Sequence, residues 1–209
     1  MNVRIEKIET DGVFQLDGGS WEVTNNVWLL GNDSEVIVID AAHDARAIAA
    51  AVGDRQLVAI VCTHAHNDHI NAAFDLADAV SGPAPVLLHP DDGALWDQTY
   101  PDRSPDGALT DGETLTVADT VVQVLHTPGH APGAVSLYVP SLGVVFTGDT
   151  LFEGGPGATG RSFSSYDVIV SSIRQVLFAL PDETVVHTGH GPDTTIAAER
   201  KNLTDNTSE

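Results

Sequence analysis

The sequence predicts an α/β fold in which helices flank packed β-sheet. Short apolar runs rich in Val and Ile recur along the chain and have the length of strands. Segments with apolar residues at helical spacing lie between several of these runs, so strands and helices alternate in two waves. A chain of 209 residues can form one sizeable core but is short for two. We expect residues 1–209 to form a single domain, with a polar tail after about residue 200.

Seven apolar runs are expected to be strands, and they span residues 36–39, 57–61, 86–88, 121–125, 134–139, 144–146 and 184–186. Three segments are expected to be helices, and they span residues 45–52, 71–80 and 168–180. Asp167 is the expected N-cap of the last helix, and Pro181 is its expected stop. Two sheets flanked by helices, an αββα sandwich, would accommodate this order. A single doubly wound sheet fits the pattern equally well.

Composition and charge exclude several classes of partner. Nine Lys and Arg residues stand against 30 Asp and Glu, and the formal charge of −21 would repel a nucleic-acid backbone. No apolar run approaches the roughly 20 residues that span a bilayer, and residues 1–10 lack the apolar core of a secretory signal. Cys62 is the single cysteine, so no intrachain disulfide can form, and we expect a cytoplasmic protein in which Cys62 is buried in a strand.

Four potential metal ligands follow the predicted strand 57–61 within six residues, as His64, His66, Asp68 and His69. The carboxyl ends of strands are where α/β proteins place ligands. In an extended stretch His64 and His66 point the same way, so both can reach one ion. Asp68 and His69 lie in the turn into the next helix and can face a second ion.

Three further candidates have the same setting. His130, Asp149 and His190 each lie shortly after an apolar strand and beside a glycine or proline turn. Imidazole and carboxylate ligands suit Zn, Mn or Fe, and the single cysteine argues against a cysteine-based structural zinc site. A closed structural site needs four ligands, so seven candidates indicate two ions with open positions, the arrangement used for hydrolysis.

The motifs HAHNDH, TPGH, TGD and GHG, in this order and at these separations, resemble those of the metallo-β-lactamase superfamily. The longer stretches TPGHAPGAVSLY, VFTGDTLF and LPDETVVHTGHGPDTTI are similar to its glyoxalase II-like (hydroxyacylglutathione hydrolase-like) members. The resemblance covers residues 25–195 and implies the αββα four-layer sandwich, with two mixed sheets flanked by helices. It also implies two divalent metal ions, with zinc as the first expectation and iron or manganese as alternatives.

The resemblance further implies a ligand set for each ion: His64, His66 and His130 for one, Asp68, His69 and His190 for the other, with Asp149 bridging them. Water on such an ion has its pKa lowered from ~15.7 to around 7, so hydroxide is available at neutral pH. This hydroxide would attack a substrate carbonyl while Asp68 orients it and handles its proton. Asp68 and Asp149 are therefore the expected catalytic residues.

The expected reaction is hydrolysis of the thioester of a small thiol, with a small-molecule acyl substrate. The alternatives are a lactonase or other carboxylic-ester hydrolase of the same fold, a mononuclear iron dioxygenase acting on a persulfide, and a metal-binding module without activity. The commonest metallo-β-lactamases carry a cysteine where this chain has Asp149, so antibiotic hydrolysis is not expected as the main role.

Two features differ from glyoxalase II. About twenty residues follow His190, which predicts that the helical domain that grips glutathione is lacking. Where the family often has Gly-Arg-Thr-Asp, this chain has Gly160 to Phe163 as Gly-Arg-Ser-Phe. Arg161 is expected to contact an anionic group of the substrate, with a structural salt bridge as the alternative.

Several other polar residues have expected supporting roles. Asp40 is expected to orient a ligand histidine rather than bind metal, and His43 is a candidate to approach the site. Asn25 and Asn26 are expected to shape a turn, and the Gly-rich segment 153–160 is expected to form a rim over the site. The remaining histidines are expected to be core or supporting groups, namely His89, His126 and His187.

Overall fold

Two six-stranded sheets lie face to face in the computed structural model, which describes residues 3–205. The strands of the first sheet are β1 (Arg4–Leu16), β2 (Gly19–Gly31), β3 (Glu35–Ile39), β4 (Gln56–Val61), β5 (Val86–Leu88) and β6 (Gly107–Ala108). They lie side by side in chain order. β1, β2 and β3 pair antiparallel, whereas β3 to β6 pair parallel, so the sheet is mixed.

The later strands are β7 (Thr114–Val117), β8 (Thr120–His126), β9 (Val135–Val139), β10 (Val144–Gly148), β11 (Leu151–Phe152), β12 (Gly155–Pro156), β13 (Val185–Thr188) and β14 (Thr194–Thr195). The second sheet has the order β14-β13-β10-β9-β8-β7, and β11 pairs with β12 in a small separate ribbon. The β10–β13 pair is parallel and the other pairs are antiparallel, so this sheet is mixed as well.

Helices cover the outer faces of both sheets. They are α1 (Ala45–Val52), α2 (Asn67–Ile70), α3 (Ala73–Ala79), α4 (Gly93–Thr99), α5 (Tyr166–Gln175) and α6 (Ile196–Asp205). Ile48 of α1, Leu76 of α3 and Trp96 of α4 belong to a core on the outer face of the first sheet. Ile169 of α5 and Ile196 of α6 belong to a core on the outer face of the second.

The alternation of side chains along each strand produces the layers, because successive residues point to opposite faces. In β3, Val36 and Val38 pack in the helix-covered core, whereas Ile37 and Ile39 pack in the core between the sheets. In β10, Val145 packs toward α5 and α6. The predicted αββα four-layer sandwich is confirmed, and the single doubly wound sheet is excluded.

The β1–β2 hairpin is the largest element that the apolar pattern did not predict. Its two-residue turn is Asp17-Gly18, and both residues have positive φ, at 54° and 76°. Asp-Gly is a typical sequence for such a turn, so a local signal was present. β1 lies at the sheet edge with mostly exposed or half-buried side chains, so it lacks the continuous apolar run of the other strands.

Helix 45–52 is confirmed as α1, whereas the other two predicted helices are interrupted. Segment 71–80 becomes α3, separated from α2 at Asn71, whose side-chain oxygen accepts a hydrogen bond from the His43 backbone. Segment 168–180 divides into α5 and a 3₁₀ turn, Leu177–Ala179. The N-cap position is Ser165, so the prediction of Asp167 was wrong, and Asp167 lies in the first turn.

Among residues 3–205, no helix is both long and apolar enough to cross a membrane. Cys62 is buried as predicted, but it follows β4, which ends at Val61, instead of lying in the strand. The segment after Arg200, expected to be a polar tail, continues α6 to Asp205, and residues 206–209 lie outside the described part of the chain. That residues 1–209 form one domain stays a prediction.

Candidate metal centre

All seven predicted ligands lie at one end of the two sheets. The loop after β4 carries His64 and His66, and α2 carries Asp68 and His69. The loops after β8, β10 and β13 carry the other three, namely His130, Asp149 and His190. The segments that follow strands of both sheets therefore place these side chains at a common edge, as expected for ligand sites of α/β proteins.

His64, His66 and His130 form the first triad, and their ligand atoms lie within 4.8 Å of one another. The Nδ1 atom of His66 is 3.0 Å from His64 Nε2 and 3.0 Å from His130 Nε2. All three side chains are buried. Burial, reinforced by the neighbouring His130, lowers the pKa of His66 to about 3. The ring is therefore neutral at pH 7, which is the protonation state that binds a metal.

Asp68, His69 and His190 form the second triad. His190 Nε2 is 3.3 Å from His69 Nε2 and 3.4 Å from Asp68 Oδ2. Burial disfavours the charged imidazole, but the carboxylates of Asp149 and Asp68 together outweigh this effect and raise the pKa of His190 to about 10. This half of the site therefore favours positive charge.

Asp149 contacts both triads. Its Oδ1 is 3.4 Å from His69 Nε2, and its Oδ2 is 3.5 Å from both His130 Nε2 and His190 Nε2. Burial alone would favour the neutral acid, but the charges of His69 and His190 hold the pKa of Asp149 well below its usual range. A carboxylate in this position can serve two ions at once.

The donor set fits metal ions. Three buried atoms of the two triads and Asp149 make no hydrogen bond within the described residues: His66 Nε2, Asp68 Oδ1 and Asp149 Oδ1. Buried polar atoms without partners are costly, and their occurrence on three of the seven predicted ligands is a reason to expect a ligand there. Nitrogen and oxygen donors of this kind suit zinc, iron and manganese.

Groups behind the triads orient the imidazoles. The Asp40 carboxylate accepts hydrogen bonds from the Thr63 backbone N–H at 2.7 Å and from its hydroxyl at 2.8 Å, and it lies 3.0 Å from His69 Nδ1. The contact with His69 Nδ1 is the one expected for an orienting role. That Asp40 does not bind metal stays a prediction, because Asp40, His64 and His69 also form a cluster that could hold an ion. The Nδ1 atoms of His130 and His190 lie 2.8 and 2.7 Å from backbone carbonyls, which leaves each Nε2 for the site. The carbonyl at His130 belongs to Ala158, in the Gly-rich segment.

Asn25 contacts the second triad, and Asn26 donates to the backbone of the loop that carries His190, so neither residue lies in a turn as expected. Both are buried in β2. The Asn25 amide donates to Asp68 Oδ2 at 3.2 Å, and its oxygen lies 3.0 Å from His43 Nε2. His43 therefore reaches the second triad through Asn25. Two consecutive amides directly before the apolar run 27–30 were the signal for this role, because buried amides need partners.

Asp92 is a second residue that the sequence did not reveal. It is fully buried and joins the two loops of the first triad. Its Oδ2 accepts from the Ala65 N–H at 2.9 Å, between the two ligands His64 and His66. Its Oδ1 accepts from the Gly133 N–H at 2.5 Å, in the loop that carries His130.

Arg161 lies at the rim of the site. Its guanidinium carbon is 3.9 Å from the Trp21 ring centroid and 5.2 Å from that of Phe14, as in cation–π contacts. Within residues 3–205 no carboxylate forms a salt bridge with it, so the alternative of a structural salt bridge is not observed. Beside it, Asp17 at the hairpin tip accepts a hydrogen bond from the Ser162 N–H at 3.0 Å.

The other predicted supporting histidines pack away from the two triads. His89 and His126 stack on each other with ring centroids 4.2 Å apart. His187 packs on Trp28 at 4.4 Å.

Comparison with known proteins agrees with this geometry. The sequence model of the metallo-beta-lactamase superfamily matches residues 21–190. The chain belongs to this superfamily. It is 30% identical to the probable metallo-hydrolase YqgX of Bacillus subtilis over 84% of this chain and 89% of that protein. It is also 30% identical to the hydroxyacylglutathione hydrolase GloC of Haemophilus influenzae, over 81% of this chain and 86% of that protein.

Solved structures of superfamily members share the fold. TTHA1623 in a di-iron-bound form has a TM-score of 0.75 at 32% identity, over 86% of this chain and 94% of that chain. ETHE1 from Myxococcus xanthus has a TM-score of 0.72 at 28% identity, over 93% of this chain and 82% of that chain. The metallo-β-lactamase fold implies divalent metal ions, and the chain is a metallo-hydrolase of this superfamily.

Proposed function

We propose that this superfamily member is a binuclear metallo-hydrolase that cleaves the thioester of a small thiol. The observation that carries the proposal is the meeting of two complete triads at Asp149, which contacts both. The similarity to a hydroxyacylglutathione hydrolase supports a thioester substrate. The products are a carboxylic acid and the free thiol.

In this proposal each triad holds one ion and Asp149 serves both, with zinc as the first candidate and iron or manganese as alternatives. When bound, the ions supply an activated water and polarise the substrate carbonyl. Burial opposes ionisation of Asp68, but His69 and His190 together outweigh it, and the pKa of Asp68 falls to about 2. Asp68 is therefore an acceptor at neutral pH.

The two oxygens of Asp68 have different tasks in this proposal. Asn25 holds Oδ2, whereas Oδ1 has no hydrogen-bond partner within the described residues. Oδ1 can orient the attacking water, take its proton and pass it to the leaving thiolate, which balances the hydrolysis. Arg161 would contact an anionic group of the substrate.

The charge of −21 supports a small-molecule substrate rather than nucleic acid, and the single cysteine supports a cytoplasmic location.

Elemental analysis combined with thiol-release assays tests the proposal. The purified protein should hold two metal ions per chain and release thiol from S-acyl thiols. Turnover of a lactone without any thiol release would contradict the thioester assignment. One iron per chain with oxygen uptake on a persulfide would instead indicate an oxygenase.

The variant Asp149→Ala should lose activity and metal content, because it removes the contact between the two triads. Full activity with two bound metals in this variant would contradict the bridging role.

A further inference from the structure

Two cavities adjoin the candidate metal centre and share Leu16 and His66 in their walls. The acyl cavity, of about 100 Å³, extends toward His130 and Arg161. The carrier cavity, of about 580 Å³, lies between the hairpin tip and α4. We infer that the carrier cavity binds the thiol portion of the substrate and that this portion is a polar molecule without negative charge. The inference rests on the proposed thioester hydrolysis.

The unequal volumes match the two arms of a thioester. A volume of about 100 Å³ equals the share of roughly three waters in the liquid, at ~30 Å³ each, which is room for a small acyl group. The carrier cavity, at about 580 Å³, lies within the ~300–1,000 Å³ of pockets that take whole organic ligands. Since His66 lines both cavities, a carbonyl held beside the first triad can extend one arm into each.

The wall of the carrier cavity offers neutral hydrogen-bonding groups. Four side chains that line it make no hydrogen bond to the rest of residues 3–205, and they are Gln15, Ser20, Gln98 and Thr99. Asn67 and Asn71 also line it, but the β1 backbone and His43 engage their amides. The available groups are amides and hydroxyls, which suit a ligand rich in hydroxyl or amide groups.

The charge of the wall disfavours an anionic carrier. Among the described residues that line this cavity there is no Lys or Arg, and Asp17 contributes a carboxylate. The Ser162 N–H hydrogen bond lowers the pKa of Asp17, so its charge persists at neutral pH. A carrier such as glutathione, whose two carboxylates outnumber its one ammonium group, would bring net negative charge to Asp17 without a cationic partner in the wall.

A pair of substrates with one acyl group and two carriers tests the inference. S-lactoylpantetheine carries hydroxyl and amide groups without a charge, whereas S-lactoylglutathione carries two carboxylates. We expect kcat/KM to be at least about tenfold higher for the pantetheine conjugate, mainly through a lower KM. Equal or faster turnover of the glutathione conjugate would overturn the inference while leaving thioester hydrolysis intact.

The variant Asp17→Asn isolates the charge. Asn tolerates the positive φ of this position, and its side-chain oxygen can still accept from the Ser162 N–H, so the hairpin tip is retained. The preference for the neutral carrier should shrink by about fivefold. The control variant Asp54→Asn removes a carboxylate charge from the exposed turn before β4, at the end of that strand away from the metal centre. It should leave the preference at its wild-type value. A preference that shifts equally in both variants, or in neither, would contradict the role of Asp17.

A binding measurement separates this inference from the proposed reaction. S-methylpantetheine and S-methylglutathione are thioethers and contain no thioester to hydrolyse. Calorimetry on the metal-loaded protein compares their binding directly. Tighter binding of the pantetheine thioether, weakened in Gln98→Ala, would support the carrier cavity even if no thioester were hydrolysed. Preferential binding of the glutathione thioether would overturn it.

Discussion

Replacing Asp92 by Asn should weaken metal binding at the first triad more than at the second. Asp92 accepts from two backbone N–H groups, one in each loop of the first triad. Asn has one acceptor oxygen, so its NH2 group must face the other N–H. The variant loses one hydrogen bond to a charged group, and such a bond contributes about 1.5–3 kcal/mol to stability at a buried site. Loss of such outer contacts typically lowers metal affinity by about 10–100-fold.

Competition with a coloured chelator, followed by elemental analysis, measures this effect. The first ion should become about 10–100-fold easier to remove from Asp92→Asn. The second should stay close to its wild-type affinity, because Asp92 contacts neither Asp68, His69 nor His190. Asp106→Asn is the matched control: its Oδ2 accepts from the Val86 N–H at 2.9 Å, at the far end of β5.

Two results would refute the reasoning about Asp92. One is wild-type affinity for both ions in Asp92→Asn despite a lower free energy of unfolding, which would make Asp92 a purely structural residue. The other is an equal loss of both ions, because it would show a general loosening of the site. A loss of affinity in Asp106→Asn as large as in Asp92→Asn would also count against it.

Four further outcomes are expected. In metal-free protein the raised pKa of His190 stabilises the fold below about pH 6.5, and this contribution is lost as pH rises through about 10. Denaturant unfolding at several pH values measures the change in the free energy of unfolding. By the same reasoning, metal binding at the second triad at pH 7 should release protons from His69 and His190, whereas metal binding at the first triad should release almost none. Calorimetry in buffers of different ionisation enthalpy measures the number of protons released, and equal release from the two triads would contradict this expectation. Arg161→Ala should raise KM for an anionic acyl group by about tenfold and leave metal content unchanged, and an unchanged KM would remove Arg161 from the substrate site. Asn25→Ala should lower the free energy of unfolding by about 1–3 kcal/mol, because Asp68 Oδ2 loses a buried donor; a change below about 0.5 kcal/mol would contradict that.

The layered fold was predictable because its central strands are continuous apolar runs with β-branched residues. Residues 36–39 illustrate this, since all four are buried and alternate between two cores. The meeting of the seven predicted ligands was predictable for a related reason: each follows such a strand, and strand ends meet at one edge. The structure brings all seven together.

The partners of the remaining site residues are set by long-range contacts that no local pattern identifies. Asp92 is 27 residues from Ala65 and 41 from Gly133 along the chain, and its role exists only once both loops are in place. Asn25 lies 43 residues from Asp68, on a hairpin whose edge strand has few buried side chains. Long-range hydrogen bonds of this kind follow from the assembled tertiary structure rather than from periodicity.

The division of the ligands between the two sheets has a consequence for how the chain acquires its metals. Each triad takes two members from the first half of the chain and one from the second, as His130 and His190 complete sets begun by the segment 64–69. Neither half alone contains a full set. Tight metal binding should therefore require that both halves of the chain have packed together, so it should occur only at the end of folding. Two fragments cut in the exposed loop before β6 should each bind metal weakly and, when mixed, recover binding together.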